Sequence, residues 1–167
     1  MSRVFVTFRK LKYPKDLTPE VKRRILKRWG EIYRTFLYNR YEREGDGSWP
    51  PLAEATIRKK GHAVILRDTD TLITVLEPVF NSAPGAIEII DTNAFSIRIG
   101  YGTGALHPKA KTTIAEIASF HQLGTAKMPA RPIMIRENYA TRKQRIDYAM
   151  QEIAEFLKNK RNRRNVK

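Results

Sequence analysis

The chain has 167 residues, a length typical of one domain, and its 41% hydrophobic and 29% charged residues exclude global disorder. Against 17 Asp and Glu stand 32 Lys and Arg, a formal charge of +15 that points to a polyanion or to acidic protein surfaces as neighbours. Zero cysteines exclude disulfides, thiol catalysis and cysteine-ligated zinc, and no apolar run approaches the ~18 residues that span a bilayer.

"MSRVFVTFRK" lacks the apolar core and cleavage site of a signal peptide, so synthesis and retention in a cytoplasm, without a membrane partner, are expected. Val4, Val6 and Phe8 alternate with Phe5 and Thr7 as a short strand would, ahead of a basic, turn-like "RKLKYPK". Thr18 before Pro19 starts a helix, since Pro costs nothing at the first helical position and Thr accepts from an early amide. Val21, Ile25, Trp29, Ile32, Phe36 and Leu37 then recur at steps of three and four over about six turns, until "GDG" ends the run. "SWPPLAEATIRKKG" predicts a short helix with its prolines in or before the first turn, anchored to the core by Trp49 and Leu52. In "ILRDTDTLITVLEP" the expected cap is Asp68 or Thr69, and Leu72, Val75 and Leu76 form the buried stripe.

"AIEIID" and "FSIRIGY" alternate as the strands of a hairpin, with "DTNA" as its turn and Phe95, Ile97, Ile99 and Tyr101 on one face. "GTGALHPKAK" reads as a flexible loop. Thr113 and Glu116 have capping-box spacing at the start of "TIAEIASFHQ", for which Gly124 is a left-handed stop. A second such pair, Thr141 and Gln144, lies in or near the start of a final helix whose expected apolar stripe is Ile146, Met150, Ile153 and Leu157. The pattern predicts an α+β domain over residues 1–157: a small antiparallel β-sheet packed with a long N-terminal helix, short middle helices and a C-terminal helix. The basic stretch 158–167 is expected to be a disordered or partner-ordered tail.

Chemistry is scarce. His62, His107 and His121 are the only histidines, and none has a second His or a carboxylate at metal-site spacing, so no metal or cofactor is expected. "GYGTG" at 100–104 lacks both the GK[ST] of a P-loop and a strand–GxGxxG–helix context, and reads as a loop leaving a strand. Glu116, Asp68 and Asp70 are better explained by capping than by acid–base work, and no nucleophile–base–orienter set is legible, so no enzyme is expected. Basic residues gather in two places. Arg9, Lys10, Lys12, Lys15, Lys22, Arg23, Arg24, Lys27 and Arg28 stand in the N-terminal quarter, and Lys158, Lys160, Arg161, Arg163, Arg164 and Lys167 in the tail. Either these meet phosphates or they form a solvated or protein-facing surface.

Two blocks, read together, resemble a known family. "GSWPPLAEATIRKKGHAVILRDTDTLITVL" is similar to the W-x-P-L-x-x-x-T-x-x-x-K and I-L-x-x-T-G-x-L segments of the virion morphogenesis, or tail completion, proteins of Mu-like bacteriophages. "IRIGYGTG" followed by "IAEIASFHQLGTAKMPARPIMI" resembles that family's strand ending in Gly, its Y-A-x-x-H-Q-x-G corner and its P-A-R-P-F segment. Order and spacing match over residues 47–135. Asp70 stands where the family usually has Gly, Ile117 where Tyr is common, and Ile133 where an aromatic follows Arg-Pro; the loop at 101–112 is longer or differently built.

The resemblance implies a non-enzymatic structural protein of the phage neck or tail end, which completes the tail or joins it to the head. It implies assembly with copies of itself into a ring, beside neighbouring neck, connector or tail proteins. Trp49, His121, Gly124, Pro129 and Arg131 are then candidates for subunit or partner contact. Gly124 turns the chain and Pro129 and Pro132 stiffen the loop; Arg131 is either presented to a neighbour or buried inside the subunit on a helix C-terminus or a carboxylate. DNA passing through the neck is a second candidate partner for Arg23, Lys27 and the basic tail, held without sequence preference. The rival from another class is a general nucleic-acid-binding or packaging factor that uses the same basic quarter and tail.

Overall fold

Strand β3 (Ser96–Tyr101) is the centre around which the chain is organised. Its inward side chains Ile97, Ile99 and Tyr101, with Phe95 just ahead, are buried on one face as the alternation predicts. In the computed structural model, which describes residues 4–8 and 13–165, β3 pairs antiparallel on both sides. Val6 of β1 (Val4–Phe8) lies opposite Ile99, and Ile90 of β2 (Ala86–Asp91) opposite Ile97, so the sheet order is β1-β3-β2. The β2–β3 turn is closed by Asp91, whose Oδ1 accepts from the amides of Asn93 and Ala94 at 2.8 and 2.9 Å. With five helices and this three-stranded antiparallel sheet, the described residues form an α+β fold.

Helix α1 (Pro19–Glu42) starts as its sequence predicts, Thr18 Oγ1 accepting from the Val21 amide, and it lies across the inner face of the sheet. The approach is close: a Cβ on Gly30 would come within 2.9 Å of Ile97 Cδ1, so a residue unfavourable inside a helix is required by the helix–sheet distance. The buried side of α1 is wider than one stripe. Leu26, Tyr33, Arg34, Arg40 and Tyr41 are buried as well, because α5 (Tyr139–Asn165) and the segments around Trp49, Leu66, Glu88 and Pro132 cover α1 from other sides.

The two long helices run antiparallel. Trp29 meets Arg145, Arg24 pairs with Glu152 at 2.8 Å, and Asp16, just before α1, pairs with Lys160. Three expectations for α5 change. Its cap is Asn138, whose Oδ1 accepts from the Thr141 amide at 2.8 Å, in place of the Thr141–Gln144 pair. Its buried residues are Thr141, Arg145, Ala149 and Ile153; of the expected stripe Ile153 is buried and Ile146 half-buried, while Met150 and Leu157 are exposed, so toward the N-terminal half the packed face is turned from the stripe by about one residue, roughly 100°. Finally, the helix continues through Asn165, so residues 158–165 extend α5.

The middle of the chain is short elements and tied loops. Helix α2 (Glu54–Lys60) follows Pro50 and Pro51, and α3 (Thr71–Thr74) begins after Asp70, which takes the cap position expected for Asp68 or Thr69. Asp70 has a left-handed backbone, φ 54°, and its carboxylate is held by Arg67 at 2.6 Å. Residues 102–113 are better ordered than a flexible loop: the Ile114 amide donates to Ala105 O at 3.0 Å and the His107 amide to Thr112 O at 2.9 Å. Helix α4 (Ile114–Leu123) has the predicted Thr113–Glu116 capping box and ends at Gly124.

Candidate functional site

The corner formed by "HQLG" and "MPARP" is built as an internal lock. Gly124 leaves α4 at φ 76°, ψ 174°, a region essentially reserved for glycine, and a Cβ there would meet the Ala130 amide nitrogen at 2.8 Å. The chain doubles back through a Thr125–Met128 bridge, and the Arg131 amide donates to the His121 carbonyl at 2.7 Å. Gln122 then staples the returning segment. Its Oε1 accepts from the amides of Ile133 and Met134 at 3.0 and 2.9 Å, and its Nε2 donates to Met134 O at 3.0 Å. Nothing in the sequence reading singled out Gln122; a long amide placed next to a chain reversal was the available signal.

Arg131 turns inward, resolving the alternative left open above in a third way. Its Nε and one Nη donate to the carbonyls of Pro50 and Pro51, both at 2.9 Å, and the residue is 4% exposed. Those two carbonyls precede α2, where prolines leave no amide of their own to pair, so a guanidinium fork suits them. Trp49 completes the lock. It is buried edge-on against Tyr41, its Nε1 donates to Pro132 O at 3.2 Å, and Arg40 bonds the same carbonyl at 2.8 Å. Of the candidates for subunit contact, Trp49 and Arg131 are thus engaged inside this chain, and Gly124 is half-buried at the turn.

His121 and Pro129 border a cleft of about 780 Å³ between α2, the loop around 107–110 and the turn after α4. Its less exposed lining is apolar, Leu52, Leu66, Leu72 and Ile117, and its exposed lining is cationic, Lys59, Lys109 and Lys127. Lys60 and Arg131 bring further charge, and Asp68, paired with Lys109 at 3.2 Å, is the one carboxylate in the lining. His121 Nδ1 is buried with no hydrogen-bond partner among the described residues. Burial, then the positive charge of Arg131, Lys60 and His107, pushes the His121 ring down to about 4, so it is neutral at pH 7. Burial likewise lowers the pKa of Lys60, whose Nζ donates to Val64 O at 2.7 Å.

The two basic clusters predicted from sequence meet in space. The antiparallel pairing of α1 and α5 brings exposed Arg23 and Lys27 to the same end of the helix pair as exposed Lys158, Arg161 and Arg163. Lys160 differs from these in being paired, with Asp16. Arg164 lies in the last turn of α5 with its side chain outside the described residues, as are Arg9, Lys10, Lys12 and Lys167 entirely.

The sequence reading did not single out three further buried arginines, Arg34, Arg40 and Arg145, beside Arg131, whose burial was one of the two alternatives. Arg34 is 1% exposed, pairs with Glu88 of β2 at 2.6 Å and lies over the Phe80 ring. Its spacing from Gly30, Leu37 and Tyr41 puts it on the apolar face, which was the signal available.

Among the described residues no group of three or more His, Asp and Glu could hold a metal ion, and no helix is long and apolar enough to cross a membrane. Compared with protein-family models, with curated proteins and with solved structures, the chain matches none.

Proposed function

We propose that this chain is a non-enzymatic structural protein of a phage neck or tail end, assembled as a ring of identical copies that completes the tail or joins it to the head. The observation that carries the reading is that its two resembling blocks form one lock. Trp49, Pro50 and Pro51 of the first are bound by Arg131 and Pro132 of the second, so the residues of the pattern act together as a structural unit. Asp70 supports it: at the position where the family pattern carries Gly, the backbone has a positive φ, which glycine adopts without cost. Exposed apolar side chains on two separate elements, Phe120 and Leu123 on α4 and Met150 and Leu157 on α5, suit the two unlike surfaces a head-to-tail ring requires.

The test is quantitative mass spectrometry of purified particles from the source. On the order of six to twelve copies per particle is the expected result for one closed ring. Absence from particles would remove the reading. The basic end of the α1–α5 pair favours a second reading, a nucleic-acid-binding or packaging factor, because exposed cations of both helices lie toward that same end. A monomer that binds free duplex DNA with a steep salt dependence, and is absent from particles, would favour that second reading.

A further inference from the structure

We propose that the cleft between α2, the 107–110 loop and the turn after α4 seats a short segment of a partner protein, one that carries carboxylates on either side of an apolar side chain. This holds whether or not the chain forms a ring.

Charge is the first argument. Lys59, Lys60, Lys109, Lys127 and Arg131 line the cleft against Asp68 alone. Lys109 and Asp68 satisfy each other, and Lys59 and Lys127 form no ion pair among the described residues. His121 feels the positive charge of both Arg131 and Lys60, and Lys60 feels Arg131 against the larger attraction of Asp68. Carboxylates entering the cleft relieve that repulsion, and they do so in a concavity where field lines concentrate.

The second argument is the apolar lining. Leu52, Leu66 and Ile117, half-buried over the core residue Leu72, offer a surface suited to an apolar side chain, and a volume of about 780 Å³ falls in the range of ligand-sized sites. A nucleic acid fits this poorly. Its phosphates bring no apolar group, its bases are held by stacking on aromatic rings, and the cleft is lined by no Phe, Tyr or Trp. A second copy of this chain is a poorer source of such a segment, since its 17 Asp and Glu stand among 32 Lys and Arg.

The experiment uses the full chain and a displayed library of random nonapeptides, with selected sequences resynthesised and measured by fluorescence anisotropy. The expected winners place Asp or Glu around Leu, Ile, Met or Phe. Their affinity falls by about tenfold or more in the Lys59→Glu/Lys127→Glu variant, as for lost charge complementarity. Both lysines are exposed and outside the packed core, so the variant keeps the wild-type melting temperature. Amide shifts on binding are expected at Leu52, Leu66, Ile117 and His121. The proposal is overturned if no sequence is enriched, if the winners lack acids, or if they bind the variant equally. Displacement of the peptide by oligothymidylate at equal salt would assign the cleft to nucleic acid instead, and self-association blocked by the peptide would assign it to a second copy.

Discussion

Trp29 and Arg145 hold each other twice. The indole Nε1 of Trp29 donates to the Arg145 carbonyl at 2.8 Å, and the Arg145 guanidinium lies 4.4 Å from the centre of the indole ring. The same guanidinium is bidentate to Glu137 at 2.6 and 3.1 Å. A polar residue thus fixes which face of α5 meets α1. Removing one partner of a buried pair strands the other, so Arg145→Ala is expected to cost about 3 kcal/mol. Urea unfolding of Arg145→Ala, Glu137→Gln and the double variant checks it. A coupling below about 0.5 kcal/mol would mean that the two side chains act independently.

Trp49 is 5% exposed and packs on Tyr41 and Arg40. Its truncation to Ala is expected to lose about 3–5 kcal/mol, the usual range for a buried aromatic. A loss under about 1 kcal/mol in chemical denaturation would contradict the role given to it in the lock.

Gly124→Ala combines a backbone conformation closed to other residues with a Cβ placed 2.8 Å from the Ala130 nitrogen. The expected cost is about 2–3 kcal/mol, read as a lowered melting temperature. Since the neighbour is backbone, no side-chain rotation can relieve the clash. An unchanged melting temperature would refute the close approach.

His121 makes stability depend on pH. Its folded pKa, about 4, lies below the ordinary value of 6.5, so as pH falls the unfolded chain takes up the proton first. The contribution is complete above about pH 6.5 and is lost as pH drops toward about 4, with roughly 2 kcal/mol gone by pH 5. Comparing urea midpoints at pH 7 and 5 isolates it, because the carboxylates lowered by hydrogen bonds, Glu20 and Glu116 among them, titrate below that window. The wild type is expected to lose this increment and His121→Gln to lack it. Equal losses in the two would assign the effect elsewhere.

The end of α5 separates stability from charge. Truncation after Lys160 keeps the pairing with Asp16 and removes exposed turns, so a change below about 0.5 kcal/mol is expected. If the basic end meets a polyanion, the salt slope of binding to duplex DNA or heparin flattens in the truncated chain. An unchanged slope would place the contact on other residues.

Local chemistry was legible wherever a few neighbouring residues decide the outcome. Thr18–Pro19, the Thr113–Glu116 capping box, the Asp91 turn and the alternation of Ile97, Ile99 and Tyr101 each specify their own element, because caps, turns and pleats are short-range. The α+β class and the antiparallel sheet follow from that periodicity. The face of α5 followed only in part, because its buried side depends on what α1 presents: Trp29 holds Arg145, and Ala149 is buried while the more apolar Met150 is exposed.

The same limit applies to the site. Sequence established that the chain is strongly basic, but a formal charge counts Arg34, Arg40, Arg131 and Arg145 together with solvated lysines. Only the tertiary structure decided which cations are spent on buried carbonyls and carboxylates and which remain free at the cleft and at the α1–α5 end. The reason is physical: a hydrogen-bond partner some 80 residues away, such as Pro50 for Arg131, leaves no mark on the local pattern, and burial belongs to packing between elements that no single element encodes.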